Sequence, residues 1–213
     1  MKRELEVVPA IQDAVVMGVK NAFPLTLTVL LYVLTIWIPY LNVGTSIAMA
    51  TIPGKLAQGQ IINPVFIFDA IYRRRMGSFF LQTGLLSMMF SAAAAFMIVP
   101  AIVLSIMYSL ALYIMIDENA DAIESMKMSE KVTYGFKMRI FLISLLFGIV
   151  FIICAALIVA LFSLTDSLFI TILSGVIMII LFICCYTALN AVIYRNLFLN
   201  AKAEEEPVTE VAQ

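Results

Sequence analysis

The stretch MGSFFLQTGLLSMMFSAAAAFMIVPAIVLSIMYSLALYIMI, residues 76–116, runs for 41 positions without an Asp, Glu, Lys or Arg. A helix needs about 20 residues to cross a hydrocarbon core of ~30 Å. At ~1.5 Å per residue this stretch is about twice too long for one crossing, so it must fold back on itself. Pro100, preceded by Val99, lies near its middle. Proline removes a backbone donor and disfavours helix at the residue before it, so the turn is predicted at Val99-Pro100.

Working outward, the other charge-free stretches are residues 21–54, 56–68, 140–165 and 167–194. Residues 21–54 are again too long for one crossing, and Pro39-Tyr40-Leu41-Asn42-Val43-Gly44 supplies turn residues. The second arm, from Val43 to about Leu56, is short; it is either a tilted helix continuing past Lys55 or a re-entrant segment. Thr165-Asp166-Ser167 interrupts the apolar run from Ile140 to Tyr194. The expectation is an all-α membrane protein of six transmembrane helices, arranged as three hairpins with short outer turns. The hairpins cover about 22–56, 78–116 and 140–194. Residues 1–200 form one integral membrane domain, and 201–213, with Glu204-Glu205-Glu206-Pro207, form a disordered cytoplasmic tail.

Charge placement tests this independently, because cytoplasmic loops concentrate Lys and Arg. With the N-terminus inside, the inner segments are 1–21, 55–77, 117–139 and 195–213, and they hold all 13 basic residues. A four-span alternative would place Lys55 and the Arg73-Arg74-Arg75 triplet outside. Both termini are therefore expected in the cytoplasm. No A-x-A site precedes the first apolar span, which is expected to remain as an anchor.

Each inner segment that precedes a hairpin carries a helical pattern. Leu5, Val8, Ile11, Val15, Val19 and Phe23 recur at three- and four-residue steps. Phe66, Ile67, Ala70 and Ile71 lie beside Asp69 and the arginine triplet. Ile123, Met126, Val132 and Phe136 alternate with Glu124, Lys127, Glu130 and Lys131. These read as amphipathic helices lying in the cytoplasmic interface. Gly18, Gly77 and Gly135 stand 59 and 58 residues apart. Such a period fits either a triplicated unit or any six-span chain with short outer turns.

The composition excludes much chemistry. Hydrophobic residues make up 63% of the chain and charged residues 13%, with a mean hydropathy of +1.07, far from a soluble domain. The absence of histidine removes His-ligated metals and His-based acid–base catalysis. With 13 basic and 14 acidic residues, no concentrated positive field is available for nucleic acid. No charged residue lies within a predicted span, so a proton-coupled mechanism has no buried carboxylate. Cys154, Cys184 and Cys185 read as small packing residues, as do Ser91-Ala92-Ala93-Ala94-Ala95, Ser105 and Ser109. No cofactor and no catalytic residue is expected. The candidate site is Arg73, Arg74 and Arg75, which suit anionic lipid headgroups and serve equally as topology determinants.

The segment from Tyr108 through Asp117-Glu118-Asn119, Glu124, Ser129, Gly135 and Arg139 to Phe141 resembles uncharacterised bacterial multi-span families. These are the YciC-type inner-membrane proteins and the membrane domain fused to some glycerophosphodiester phosphodiesterases. The likeness covers about 35 residues, with the rest similar by topology alone. It implies a bacterial plasma-membrane protein of unassigned process. Only 19 residues follow Tyr194, so no phosphodiesterase activity is expected. Within that segment Asp117 or Asn119 is expected to cap the interfacial helix, and Gly135 to turn the chain into the fifth span. The function expected is a non-enzymatic scaffold, assembly or envelope-associated factor, with a protein partner or a homo-oligomer as candidates beside the bilayer. The alternative is a small transporter or channel for an apolar or lipid-like substrate, which would need a central cavity lined by Ser, Thr, Tyr and Asn from all three hairpins.

Overall fold

A computed structural model of the chain describes residues 5–163 and 167–203. Among these residues every regular element is helical. The order is α1 (Val7–Lys20), α2 (Ala22–Thr35), α3 (Pro39–Ala57), a 3-10 helix at Pro64–Phe68, α4 (Ala70–Arg73), α5 (Met76–Phe96), α6 (Ile98–Met107), α7 (Ala111–Asp117), α8 (Ala122–Thr133), α9 (Lys137–Ser163) and α10 (Leu168–Tyr194), which runs into a π-helical turn at Arg195–Leu199. Four apolar helices are long enough to cross a membrane: Met76–Phe96, Ile98–Asp117, Lys137–Ser163 and Leu168–Ala203. The pair α1 and α2, bent by 69°, makes a fifth if it is counted as one.

The two prolines expected to mark turns begin helices instead. Pro39 is the first residue of α3, and Pro100 is the third residue of α6. The first amides of a helix have no intrahelical acceptor, so proline's missing N–H costs nothing there. The breaks fall just upstream, at residues 36–38 and at Met97, whose backbone is extended. The third expected turn, at Thr165-Asp166-Ser167, lies outside the described residues except for Ser167.

Helix α3 is the hub. It is one continuous helix of 19 residues, and it packs against α10, α7, the 3-10 helix, α2 and α4. Its small residues Gly44, Ala48 and Gly54 and its aliphatics Ile47 and Ile52 are all buried. Toward α2 it is tied by hydroxyls, with Thr35 Oγ1 and Thr45 Oγ1 2.9 Å apart and Tyr32 Oη and Ser46 Oγ 3.1 Å apart.

Helix α1 packs along α10 with a face only partly the one its periodicity indicates: of that stripe Leu5 is buried and Ile11 half-buried against the core. Ala10, Ala14 and Gly18, at steps of four, are the buried residues, whereas Val8, Val15, Val19 and Phe23 are exposed. Small residues allow backbones to approach closely. A Cβ on Gly18 would stand 2.7 Å from Cys185 Cα. Val8, Val15, Val19 and Phe23 therefore point away from the protein, where a bilayer would meet them.

The segments preceding α2, α5 and α9 are not alike. The middle one is a 3-10 stretch followed by a single helical turn, because Asn63-Pro64 opens a tight turn and Asp69 is extended. The three evenly spaced glycines also differ. Gly18 permits a helix contact, Gly77 faces open space, and Gly135 has φ +85°. At the other end of the chain, Ala201 is buried in a helix that continues through Ala203. This moves the tail boundary past 201, and residues 204–213 lie outside the description.

Burial is uneven along the long helices. The buried residues of α9 are Ile140, Ile143 and Phe147, all near its basic end; α5 buries Gln82 alone and α6 buries none. The run from Ser91 to Ala95, expected to serve close helix packing, is exposed within the described chain apart from the half-buried Ala93.

Candidate functional site

Apart from the hydroxyl ties between α2 and α3, the longer-range polar interactions gather around Asp117 and around α8. Asp117 closes α7 where it meets α3 and α10. Its Oδ2 accepts hydrogen bonds from Tyr194 Oη at 3.0 Å and from Gln58 Nε2 at 3.0 Å. The approach depends on Gly54 of α3, since a Cβ there would lie 2.9 Å from the same oxygen. Tyr194 is fully buried; its ring stacks on Phe198 with centroids 5.2 Å apart and meets Tyr113 edge-on at 5.8 Å. Packing thus fixes the phenol before the hydrogen bond is made. Two ion pairs flank this junction, Lys202–Glu118 and Arg195–Asp13, each at 2.8 Å, so the end of the last helix is tied to α7 and α1.

A second junction holds α8. The chain breaks between α6 and α7, at Tyr108–Leu110, and the Met107 carbonyl at that break accepts the Ser129 hydroxyl at 2.7 Å; Thr133 Oγ1 stands 3.3 Å from the same carbonyl, with its shorter bond, 2.8 Å, to the Ser129 carbonyl. Carbonyls freed by a break in an apolar helix need such partners. Ser125, one turn earlier, accepts from Gln82 Nε2 at 3.1 Å. Ser125, Ser129 and Thr133 share one face of α8 and are all buried. Gln82 Oε1 is buried with no hydrogen-bond partner among the described residues.

The arginine triplet is divided. Arg73 donates to the Phe68 carbonyl at 3.3 Å and its stem lies over Gly44. Arg75 donates to the Met115 carbonyl at 3.2 Å, near the end of α7. Arg74 alone of the three is exposed. Two of the three guanidiniums therefore fasten the short connection before α5, and one faces outward.

The expected caps shift as well. The N-cap position of α8 is Asp121, not Asp117 or Asn119. Asp117 is drawn instead to Tyr194 and Gln58, and Asn119 takes a positive φ of 58° in the connection. Gly135 has a positive φ and precedes α9, the conformation that glycine adopts most readily.

Spacing alone had no means of pairing Asp117 with Tyr194, 77 residues away. The available signal was an acid placed directly after 41 uncharged residues, where helix ends from separate parts of the chain converge. Cys184 and Cys185 are buried and Cys154 is exposed; no group of three His, Cys, Asp or Glu among the described residues is placed to hold a metal ion. A carboxylate held on one oxygen by two neutral donors fastens the ends of α3, α7 and α10 together. No protein-family model matches the chain, and no curated protein or solved structure shows significant similarity to it.

Proposed function

We propose that the chain is a non-enzymatic scaffold or assembly factor of a bacterial plasma membrane, crossing it six times as three hairpins with both termini in the cytoplasm. In this reading the crossings are α2, α3, α5, α6 with α7, α9 and α10. The location of all 13 basic residues in the inner segments supports the orientation, and the bacterial membrane rests on the likeness around Asp117 to Phe141.

The observation that carries the scaffold reading is the uneven packing. The basic end is interlocked around α3 by buried Ile47, Ile52, Ile114 and Leu189, leaving a filled interior. Helices α5 and α6 bury almost nothing within the chain. They display a small-residue run, Ser91 to Ala95, which is the surface that membrane helices use for close association. A partner helix, or a second copy, fits there better than lipid alone. The transporter alternative has less to stand on: the groove of about 620 Å³ between α9 and α10 is lined by Ala155, Ala156, Gly175 and large apolar residues from those two helices only.

Blue-native electrophoresis and mass analysis of the gently solubilised chain test this. A stoichiometric complex that disappears when Ala92 and Ala95 are replaced by Leu supports the scaffold. A monomer that moves a lipid analogue across proteoliposomes would replace it with the alternative.

A further inference from the structure

A cleft of about 580 Å³ opens between α1, the chain leaving α3 and the end of α10. We propose that it binds the phosphodiester headgroup of one monoanionic phospholipid of the cytoplasmic leaflet, with the acyl chains lying along the outward stripe of α1. This rests on the membrane placement proposed above.

The argument begins with charge. Lys20 and Arg195 supply two cations to the cleft and Asp13 one anion; Arg195 is paired with Asp13 at 2.8 Å, and Lys20 has no ion-pair partner among the described residues. The cleft thus carries a single unbalanced positive charge, which matches one phosphodiester. The side-chain amides of Gln12, Asn21 and Gln60 also line it; Asn21 and Gln60 already donate one hydrogen each, to the Met17 carbonyl and to Gln58 Oε1, and their second amide hydrogens can donate to phosphate and glycerol oxygens.

Position supplies the second strand. Lys20 stands at the 69° bend between α1 and α2, and Arg195 directly follows the long apolar α10. Both therefore sit where the charged end of the molecule gives way to its apolar body, the depth of a headgroup. Val16 lies one turn before Lys20 on the same face of α1, Val19 flanks it, and Phe23 continues beyond the bend. All three are exposed apolar side chains with no partner role in the core. Ile61, also on the cleft wall, is 92% exposed. A soluble phosphate would leave these surfaces in water, whereas a lipid covers them and satisfies the charge together.

The test is native mass spectrometry of the full chain, titrated with phosphatidylglycerol, with phosphatidylcholine and with inorganic phosphate. One phosphatidylglycerol should persist on the wild-type chain, and neither of the others should displace it. Lys20→Gln and Ile61→Asp, both at exposed positions, should each weaken that equivalent about fivefold or more, whereas Lys127→Gln, the same charge change on exposed α8, should not. Equal losses from K20Q and K127Q, equal retention of phosphatidylcholine, or displacement by inorganic phosphate would each overturn the proposal. A chain that is not membrane-inserted would instead fail to sediment with phosphatidylglycerol vesicles in every variant, which separates failure of the placement from failure of the cleft.

Discussion

Tyr194 donates its phenolic hydrogen to Asp117 Oδ2 over 3.0 Å, joining the end of α10 to the end of α7. Hydrogen bonds to a charged acceptor are worth about 1.5–3 kcal/mol. Tyr194→Phe keeps the stacking on Phe198 and loses only the bond, so it should destabilise the detergent-solubilised chain by about 1–3 kcal/mol. A double-mutant cycle with Asp117→Asn, read by chemical unfolding, should return a coupling energy of similar size. Strict additivity of the two changes would show that the pair does not fasten the helices.

The contact of Gly18 with Cys185 predicts a steric effect. Gly18→Ala places a methyl 2.7 Å from a backbone atom of α10, which no side-chain rotation relieves. Overpacking of this kind costs about 1–3 kcal/mol. Hydrogen exchange over residues 7–20 should accelerate while that over α5, which does not pack on α1, stays unchanged. Gly77→Ala, which meets nothing within 4 Å, should leave both unaltered.

Helix α8 should detach when its hydroxyls are removed. Ser129→Ala takes the 2.7 Å donor from the Met107 carbonyl, and Ser125→Ala leaves the already under-satisfied Gln82 side chain with no partner among the described residues. Each is expected to cost about 1–3 kcal/mol, with limited proteolysis between residues 118 and 136 increasing first. Unchanged proteolysis in the double variant would mean that apolar packing of Met126 and Val132 alone holds α8.

The arginine triplet should split by role. Arg75→Gln removes the donor to the Met115 carbonyl and should lower the midpoint of thermal unfolding. Arg74→Gln should leave stability within about 0.5 kcal/mol and weaken attraction to anionic membrane by about 1 kcal/mol. Equal effects of the two on stability would contradict the division.

How far the sequence could be read follows from what each signal is made of. Helical class and the long apolar elements were legible from Met76–Ile116 and from 167–194, because lipid-length runs leave a composition signal that needs no partner. Which face is buried was not. On α1 the periodic Val8, Val15 and Val19 turned outward, since the sequence alone does not distinguish a face toward lipid from one toward protein, and Ala10, Ala14 and Gly18 take the contact. The prolines marked the right neighbourhoods, yet Pro39 and Pro100 sit inside the first turns of helices rather than in the bends. Arg73 to Arg75 were visible as a cluster, but their division depends on the carbonyls of Phe68 and Met115. The Asp117 junction depends on residues 54, 58 and 194, whose meeting is a property of the folded chain.

Three hairpins with every basic residue on the cytoplasmic side is the claim on which the rest depends, and cysteine accessibility in intact cells tests it most directly. In a background with Cys154, Cys184 and Cys185 replaced by Ala, single cysteines go at Trp37, between α2 and α3, at Met97, between α5 and α6, and at the exposed Arg74. A membrane-impermeant maleimide should label positions 37 and 97 in intact cells, and position 74 only after permeabilisation. Labelling of position 74 from outside, or protection of position 97, would contradict the account.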